Sequence, residues 1–328
     1  MAQVVLGLGC SHSPMLNMEP DAWVERGSRD RHIPKLRDTS GAVVTFDALL
    51  ERAGDSFAEQ LDIERIRTRH AANQKAVAAA EKVLYAAHPD VVIMFGDDHK
   101  EVFHDDNMPS LGIYLGETIP YAPSGIMKWP YDLKLVTPLW YPQEQREFPV
   151  AVDFGTHIAE SLNEEGFDVA TSRYYKPGQA MSHAFGFIYW RLMHNGGAIP
   201  TVPIHLNTYF PPNQPTPARC LALGRAVRHA IESWAKDLRV AVIGSGGLSH
   251  FVVDEELDNQ FLEVLASGQA DRITSLSRAK LNSGNSELRC WIAMAGAVEG
   301  KKMSLIDYVP CYRSLAGTGC GMAFASWA

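Results

Sequence analysis

Three stretches of this chain run from apolar residues into a short turn that ends on histidine. They are Val4-Val5-Leu6-Gly7-Leu8-Gly9-Cys10-Ser11-His12, Val91-Val92-Ile93-Met94-Phe95-Gly96-Asp97-Asp98-His99 and Val240-Ala241-Val242-Ile243-Gly244-Ser245-Gly246-Gly247-Leu248-Ser249-His250. A buried strand followed by a tight polar turn is how an open α/β sheet delivers side chains to the crevice at its carboxyl edge. One strand-end histidine usually does no more than satisfy a nearby carbonyl. Three in the same setting favour a metal site or an acid–base site. His12 and His99 lead: if strands 3–8 and 90–95 are parallel, both imidazoles emerge at one edge. Two histidines and a carboxylate on one face of an octahedral metal leave three open positions, the arrangement of non-haem Fe(II) oxygenases. A catechol fills two of them and leaves one for dioxygen.

Pattern alone does not select the carboxylate. Asp254, Glu255 and Glu256 follow His250 closely, and Glu287 opens the helical stretch Ser286-Glu287-Leu288-Arg289-Cys290-Trp291. An acid in a first helical turn is ordinarily a surface residue complementing the helix dipole. Asp97 and Asp98 flank His99 and are placed to orient an imidazole. His250 follows a glycine-rich turn that lets backbone come close to a ligand. A histidine near its ordinary pKa of about 6.5 suits taking and returning a proton. His183 follows Met181-Ser182 at a helix start, where a plain polar first-turn role is the alternative. Asn207 is a candidate for holding a polar substrate group, against the more ordinary role of forming a turn. Lys100, Lys176 and Arg289 are cations available to a substrate carboxylate but indistinguishable from solvated ones. His70, His157, His194 and His229 fall in or beside helical patterns, and His32, His88, His104 and His205 in loops or at element ends; none receives a role. No Gly-x-Ser-x-Gly elbow or Walker A sequence occurs, and Gly7-Leu8-Gly9 lacks the third glycine of a dinucleotide fingerprint.

The elements that must position these residues alternate. The pattern predicts strands at 3–8, 90–95, 111–115, 168–172, 200–206, 239–244, 309–314 and 321–326. It predicts helices at 45–60, 64–87, 151–165, 183–192, 215–236, 255–266, 268–280 and 285–299. Residues 13–43 read as an irregular cover over the site, and 102–145, rich in Pro, Gly, Tyr and Trp, as elaborated loops. The expected fold class is α/β, a mostly parallel or mixed central sheet with helices on both faces, forming one domain over 1–328.

Composition sets bounds. The 328 residues are 46% hydrophobic and 21% charged, with a net charge of −8, which argues against nucleic acid or an anionic membrane as the main partner. Five widely spaced cysteines with no CxxC pair argue against a disulfide framework and a cysteine zinc site and point to a reducing cytoplasm. The N-terminus lacks a signal-peptide pattern, and no apolar run approaches the roughly 20 residues a bilayer requires.

Taken in order, these motifs resemble those of the LigB-type (class III) extradiol ring-cleavage dioxygenases over nearly the whole chain. Gly9-Cys10-Ser11-His12-Ser13-Pro14 is similar to the family's Ser-His-x-Pro segment, and Gly96-Asp97-Asp98-His99 to its second histidine after a strand. Ser182-His183-Ala184-Phe185 resembles a His-Gly-Phe-like motif, with Ala184 where glycine is common. Gly244-Ser245-Gly246-Gly247-Leu248-Ser249-His250 resembles the catalytic histidine motif, and Leu257-Asp258-Asn259-Gln260-Phe261 a Trp-Asp-Asn-x-Phe segment. Carried over, the resemblance implies His12, His99 and Glu287 as Fe(II) ligands, His250 as the acid–base residue and His183 as a second histidine near substrate or oxygen. The Glu287 transfer rests on aligning Ser286-Glu287-Leu288-Arg289-Cys290-Trp291 with a Glu-x-x-x-Trp segment.

The implied activity is ring opening of a lignin-derived catechol or gallate, such as 3-O-methylgallate or a biphenyl catechol, with both atoms of dioxygen entering the product. The implied partners are thus a small aromatic diol and O2, with a homo-oligomer, a dimer, as the expected assembly. Protocatechuate is the alternative substrate. A zinc hydrolase using the same histidines, or a non-catalytic relative binding a partner through the 102–145 loops, are rivals of other classes.

Overall fold

The computed structural model describes residues 1–122 and 144–328; much of the expected loop region at 102–145 therefore lies outside the described residues. Its strands and helices, in chain order, are β1 (Gln3–Cys10), α1 (Ala22–Arg29), β2 (Leu36–Arg37), β3 (Val43–Val44), α2 (Phe46–Ala53), α3 (Ile63–Ala86), β4 (Val91–Gly96), β5 (Leu111–Tyr114), β6 (Thr118–Tyr121) and β7 (Arg146–Pro149). There follow α4 (Val152–Glu164), β8 (Ala170–Ser172), α5 (His183–Phe187), β9 (Thr201–Leu206), α6 (Pro217–Ser233), β10 (Arg239–Ser245), α7 (Glu255–Ala266), α8 (Leu288–Ala297), β11 (Met303–Tyr312) and β12 (Gly319–Trp327).

Eight strands form one mixed sheet in the order β11-β12-β1-β10-β4-β9-β5-β8. The central four, β1, β10, β4 and β9, are mutually parallel, as expected for β1 and β4. However, β10 lies between that pair rather than beside it. Strands covered on both faces read as continuous apolar runs, and Val91–Gly96 and Val240–Ser245 are buried at every position. Register aligns the carboxyl ends: Gly9 faces Gly244, Gly244 faces Phe95, and Gly96 faces His205. The turns after β1, β10 and β4 therefore open into one crevice.

Helices cover both faces. On one, α3 starts at the cap Asp62, whose carboxylate accepts from Glu64 N and Arg65 N, and turns Ile66, Ala76, Val77, Ala80 and Leu84 inward. On the other, α6 begins with Thr216 capping Arg219 N and Pro217 in the first turn, and packs on α8, all ten residues of which are buried.

Several elements depart from expectation. The cover at 13–43 contains α1, whose Trp23 is fully buried and donates from Nε1 to Met15 O, and the β2–β3 hairpin. The Asp30 carboxylate receives both Arg313 Nε (2.7 Å) and Nη2 (3.1 Å) in a buried pair, which ties the cover to the segment before β12. The helix expected at 268–280 is only a 3-10 turn, Ala270–Ser275. Strand β11 starts at Met303, six residues earlier than expected, because β12 pairs with it along its whole length. His205 lies at the end of β9, within the expected strand, and burial pushes its imidazole down to about 4.

Candidate metal centre

His12 follows β1 by two residues. Its Nδ1 stands 3.0 Å from Ser245 Oγ at the end of β10. That hydroxyl donates to Ala184 O at 2.9 Å, so it must accept the Nδ1 proton. The tautomer is thereby set, and His12 Nε2 presents a lone pair to the crevice. Trp291 lies against Gly9, where an added Cβ would come within 2.4 Å of its ring, and donates from Nε1 to Gly246 O at 2.8 Å. This contact locks α8, and with it the preceding Glu287, against the β1 and β10 turns.

His12 Nε2 is 3.2 Å from Glu287 Oε2 and 3.8 Å from Asp97 Oδ1. His99 Nε2 is 3.0 Å from Asp97 Oδ2 and 3.7 Å from Glu287 Oε1. His12, His99 and Glu287 therefore come together, and Asp97 joins them. Asp97 and Glu287 are 0% and 2% exposed. Asp254, Glu255 and Glu256 do not share this position. Asp254 caps α7 through Leu257 N, Glu255 accepts from Tyr312 Oη, and Glu256 accepts from Gln260.

His250 also reaches the Glu287 carboxylate. Its Nδ1 donates to Leu248 O at 2.9 Å, and Nε2 is 3.0 Å from Glu287 Oε1. Its backbone N–H donates to Asn285 Oδ1, and Gly284 lies so close that an added Cβ would come within 2.1 Å of His250 O. Ser249, just before it, is held by Asp258, which accepts from Ser249 N and Oγ and from Tyr308 Oη. Burial pushes the Asp258 carboxyl up to about 7.

His183, at the first position of α5, donates from Nδ1 to Glu101 Oε1 at 2.6 Å, and the same oxygen accepts His183 N at 2.8 Å. The other Glu101 oxygen accepts His99 N at 2.6 Å. Glu101 thus ties the two histidine-bearing loops together, and it was not singled out in the sequence. The His183 ring lies 4.7 Å from that of His12 and 4.4 Å from that of His99.

The two acids before His99 divide their work. Asp98 does not orient an imidazole as expected; its oxygens accept the backbone N–H groups of Lys100, Val102 and Phe103. Asn207 holds a turn: its amide bonds Phe210 O, Phe210 N and Asn213 Oδ1. Among the cations considered for a substrate carboxylate, Lys100 pairs with Asp105, and the exposed Lys176 lies 3.9 Å from Asp106. Arg289 is buried on the carbonyls of Pro215, Leu281 and Ser286. Tyr209, absent from the sequence candidates, packs edge-to-face with His99, the ring centroids 4.3 Å apart.

The donor set fits a divalent cation. Two buried carboxylates share one site, and Asp97 Oδ1 has no hydrogen-bond partner there. Like charges this close need a counter-charge. Without a metal ion the histidines provide it. Burial pulls His99 down, but Asp97, with Glu287 and Glu101, outweighs it and lifts the imidazole to about 9. For His250, Glu287 and Cys320 outweigh burial and raise it well above 6.5. Glu287, which burial alone would raise, is held well below the ordinary range by His250 and His12.

A metal must displace these protons, so affinity rises with pH until His99 is neutral near pH 9. In chelator the protonated His99 stabilises the fold fully below about pH 6.5, and that contribution is lost as pH climbs through about 9. Thermal unfolding in EDTA should therefore show Tm falling from pH 6.5 to 9, with Co(II) or Zn(II) removing the fall. A Tm that is flat in chelator would contradict this charge balance.

Residues 66–322 match the family described as the catalytic LigB subunit of aromatic ring-opening dioxygenase. Gallate dioxygenase of Pseudomonas putida is 32% identical over 177 residues, covering 49% of this chain and 50% of that protein. The 2,3-dihydroxyphenylpropionate/2,3-dihydroxicinnamic acid 1,2-dioxygenase of Comamonas testosteroni is 28% identical over 181 residues, 54% of this chain and 48% of that one. The chain thus spans about half the length of these two relatives. A protein of the same name from Cupriavidus necator is 24% identical over 305 residues, 76% of this chain and 88% of its own. With the family match running through β4, α5, β10 and α8, the chain belongs to the family of the catalytic LigB subunit of aromatic ring-opening dioxygenase.

Proposed function

We propose that this protein is a non-haem Fe(II) extradiol dioxygenase that opens the ring of a lignin-derived catechol or gallate and places both atoms of O2 in the product. The observation that carries this reading is the meeting of His12 Nε2, His99 Nε2 and Glu287 at the carboxyl edge of the sheet, with His250 Nε2 3.0 Å from the same carboxylate. Two imidazoles and a carboxylate suit Fe(II), which when bound would activate the diol and dioxygen at open positions. The printed names of the relatives, gallate and dihydroxyphenylpropionate dioxygenases, support a vicinal diol as substrate.

The chain's own groups supply the rest. His12 and His99 offer nitrogen donors held by Ser245 and by Glu101 at the His99 backbone. His250 keeps Nδ1–H on Leu248 O, so its Nε2 is the atom that takes the second hydroxyl proton of the diol and later returns it. A divalent ion beside Glu287 offsets the carboxylate that raises His250 and brings that imidazole toward neutral pH. His183, with its Nδ1 proton on Glu101 and its ring 4.7 Å from that of His12 and 4.4 Å from that of His99, serves the oxygen side. A single catalytic domain over 1–328, assembled as a cytoplasmic homodimer, completes the reading.

The experiment is anaerobic reconstitution with Fe(II), followed by oxygen uptake with gallate, 3-O-methylgallate, protocatechuate and a biphenyl catechol. One O2 per diol and a yellow ring-opened product are expected. Zinc at one per chain, with an activity that survives strict anaerobiosis, would replace the reading with a hydrolase.

A further inference from the structure

The geometry points to Asp97 as a fourth, displaceable protein ligand of the metal, which occupies one position until the diol arrives. This rests on the ring-opening reading of the site and adds to it a guard on the third open position.

Of the two adjacent acids after β4, only Asp98 is used up by backbone donors. Asp97 is fully buried, and its Oδ1 has no hydrogen-bond partner. Among the described residues, each of the two groups of side chains whose donor atoms lie within 4.8 Å of one another contains it: one with His12 and His183, the other with His99 and Glu287. Its oxygens stand 3.0 Å from His99 Nε2 and 3.8 Å from His12 Nε2. Adjacent ligands on an ion with bonds of about 2.1 Å stand about 3 Å apart. A buried carboxylate oxygen without a donor is costly unless a cation takes it.

Coordination number then forces a choice. With four protein ligands an octahedral ion keeps two positions, whereas a diol takes two and dioxygen one. Dioxygen therefore has a position beside a bound diol only if Asp97 leaves, and an incoming diol oxygen is the ligand that would take its place. In the exchange Asp97 would give up its oxygen's bond to the ion as a diol oxygen takes that position, with the hydroxyl proton going to His250. One negative charge replaces another at the ion. Thr208 Oγ1, 3.5 Å from Asp97 Oδ2, is a hydroxyl donor for the released carboxylate. Until then the third position is closed to dioxygen.

The test uses Co(II) binding to the full chain by chelator competition under anaerobic conditions, with and without saturating catechol. Asp97→Asn should weaken Co(II) binding by at least about tenfold without catechol. With catechol the deficit should shrink to less than about threefold, and catechol should bind the Asn variant's Co(II) form more tightly by the factor lost, as reciprocity demands. Asp97→Glu, which keeps the carboxylate, should recover part of the affinity and so exclude a folding defect. Co(II) affinity in Asp97→Asn within twofold of the unaltered chain, or a deficit unchanged by catechol, overturns the proposal while leaving the ring-opening reading intact. If the unaltered chain binds Co(II) but its Co(II) form takes no diol, both fall.

Discussion

His250→Phe should lower kcat by about 10²–10⁴-fold, the range for losing a general acid–base group, while metal content stays that of the unaltered chain. The ring occupies the niche under Gly284, and the backbone N–H of residue 250 keeps its bond to Asn285 Oδ1, so the turn is preserved. What disappears is the nitrogen 3.0 Å from Glu287 Oε1. Because the reacting imidazole must be neutral to take a proton, kcat in the unaltered chain rises with pH through its ionisation. The variant should lack that rise. Metal analysis, oxygen uptake and the pH profile check this together. Turnover within threefold of the unaltered chain would move the acid–base role to another group, with His183 the next imidazole in the layer.

The histidines were legible because their setting has a sequence signature. A doubly covered strand is apolar throughout, and its polar turn stands out against it, as at Val91–Gly96 followed by Asp97-Asp98-His99. Strand order had no such signature. Nothing in the residues of β10 says that it inserts between β1 and β4. The helix expected at 268–280 gives way to a 3-10 turn in which only Ala270 and Ile273 are buried, too small an apolar face to hold a longer helix.

Glu101 escaped notice for a different reason. Its work is to accept two backbone N–H groups and one imidazole proton from residues 99 and 183. An acid two positions past a histidine is common, and its partner 82 residues away is visible only once α5 has folded over the β4 turn. Asp97 and Asp98, identical in type, divided into a site residue and a loop residue only through backbone geometry. Ser245 was also hidden, since a serine between glycines reads as flexibility until its hydroxyl is found between His12 and Ala184 O.

Glu287→Gln should weaken metal binding more than about 100-fold, beyond the 10- to 100-fold typical of residues that merely support a ligand. Activity at ordinary metal concentrations should then fall to background. Glutamine keeps the shape but removes the charge that faces His12, His99 and His250. The amide oxygen can still accept from Gly247 N–H, and its nitrogen can donate to a neutral His250 Nε2, so what the variant loses is the charge and one metal-binding oxygen. In chelator, His250 loses the carboxylate that outweighs its burial, so its pKa should fall in the variant. The paired readouts are metal affinity by chelator competition and imidazole titration by NMR. If the variant bound metal as the unaltered chain does while His250 still titrated well above 6.5, then Asp97 rather than Glu287 would be the principal carboxylate, because it is the other buried acid within reach of His12 and His99.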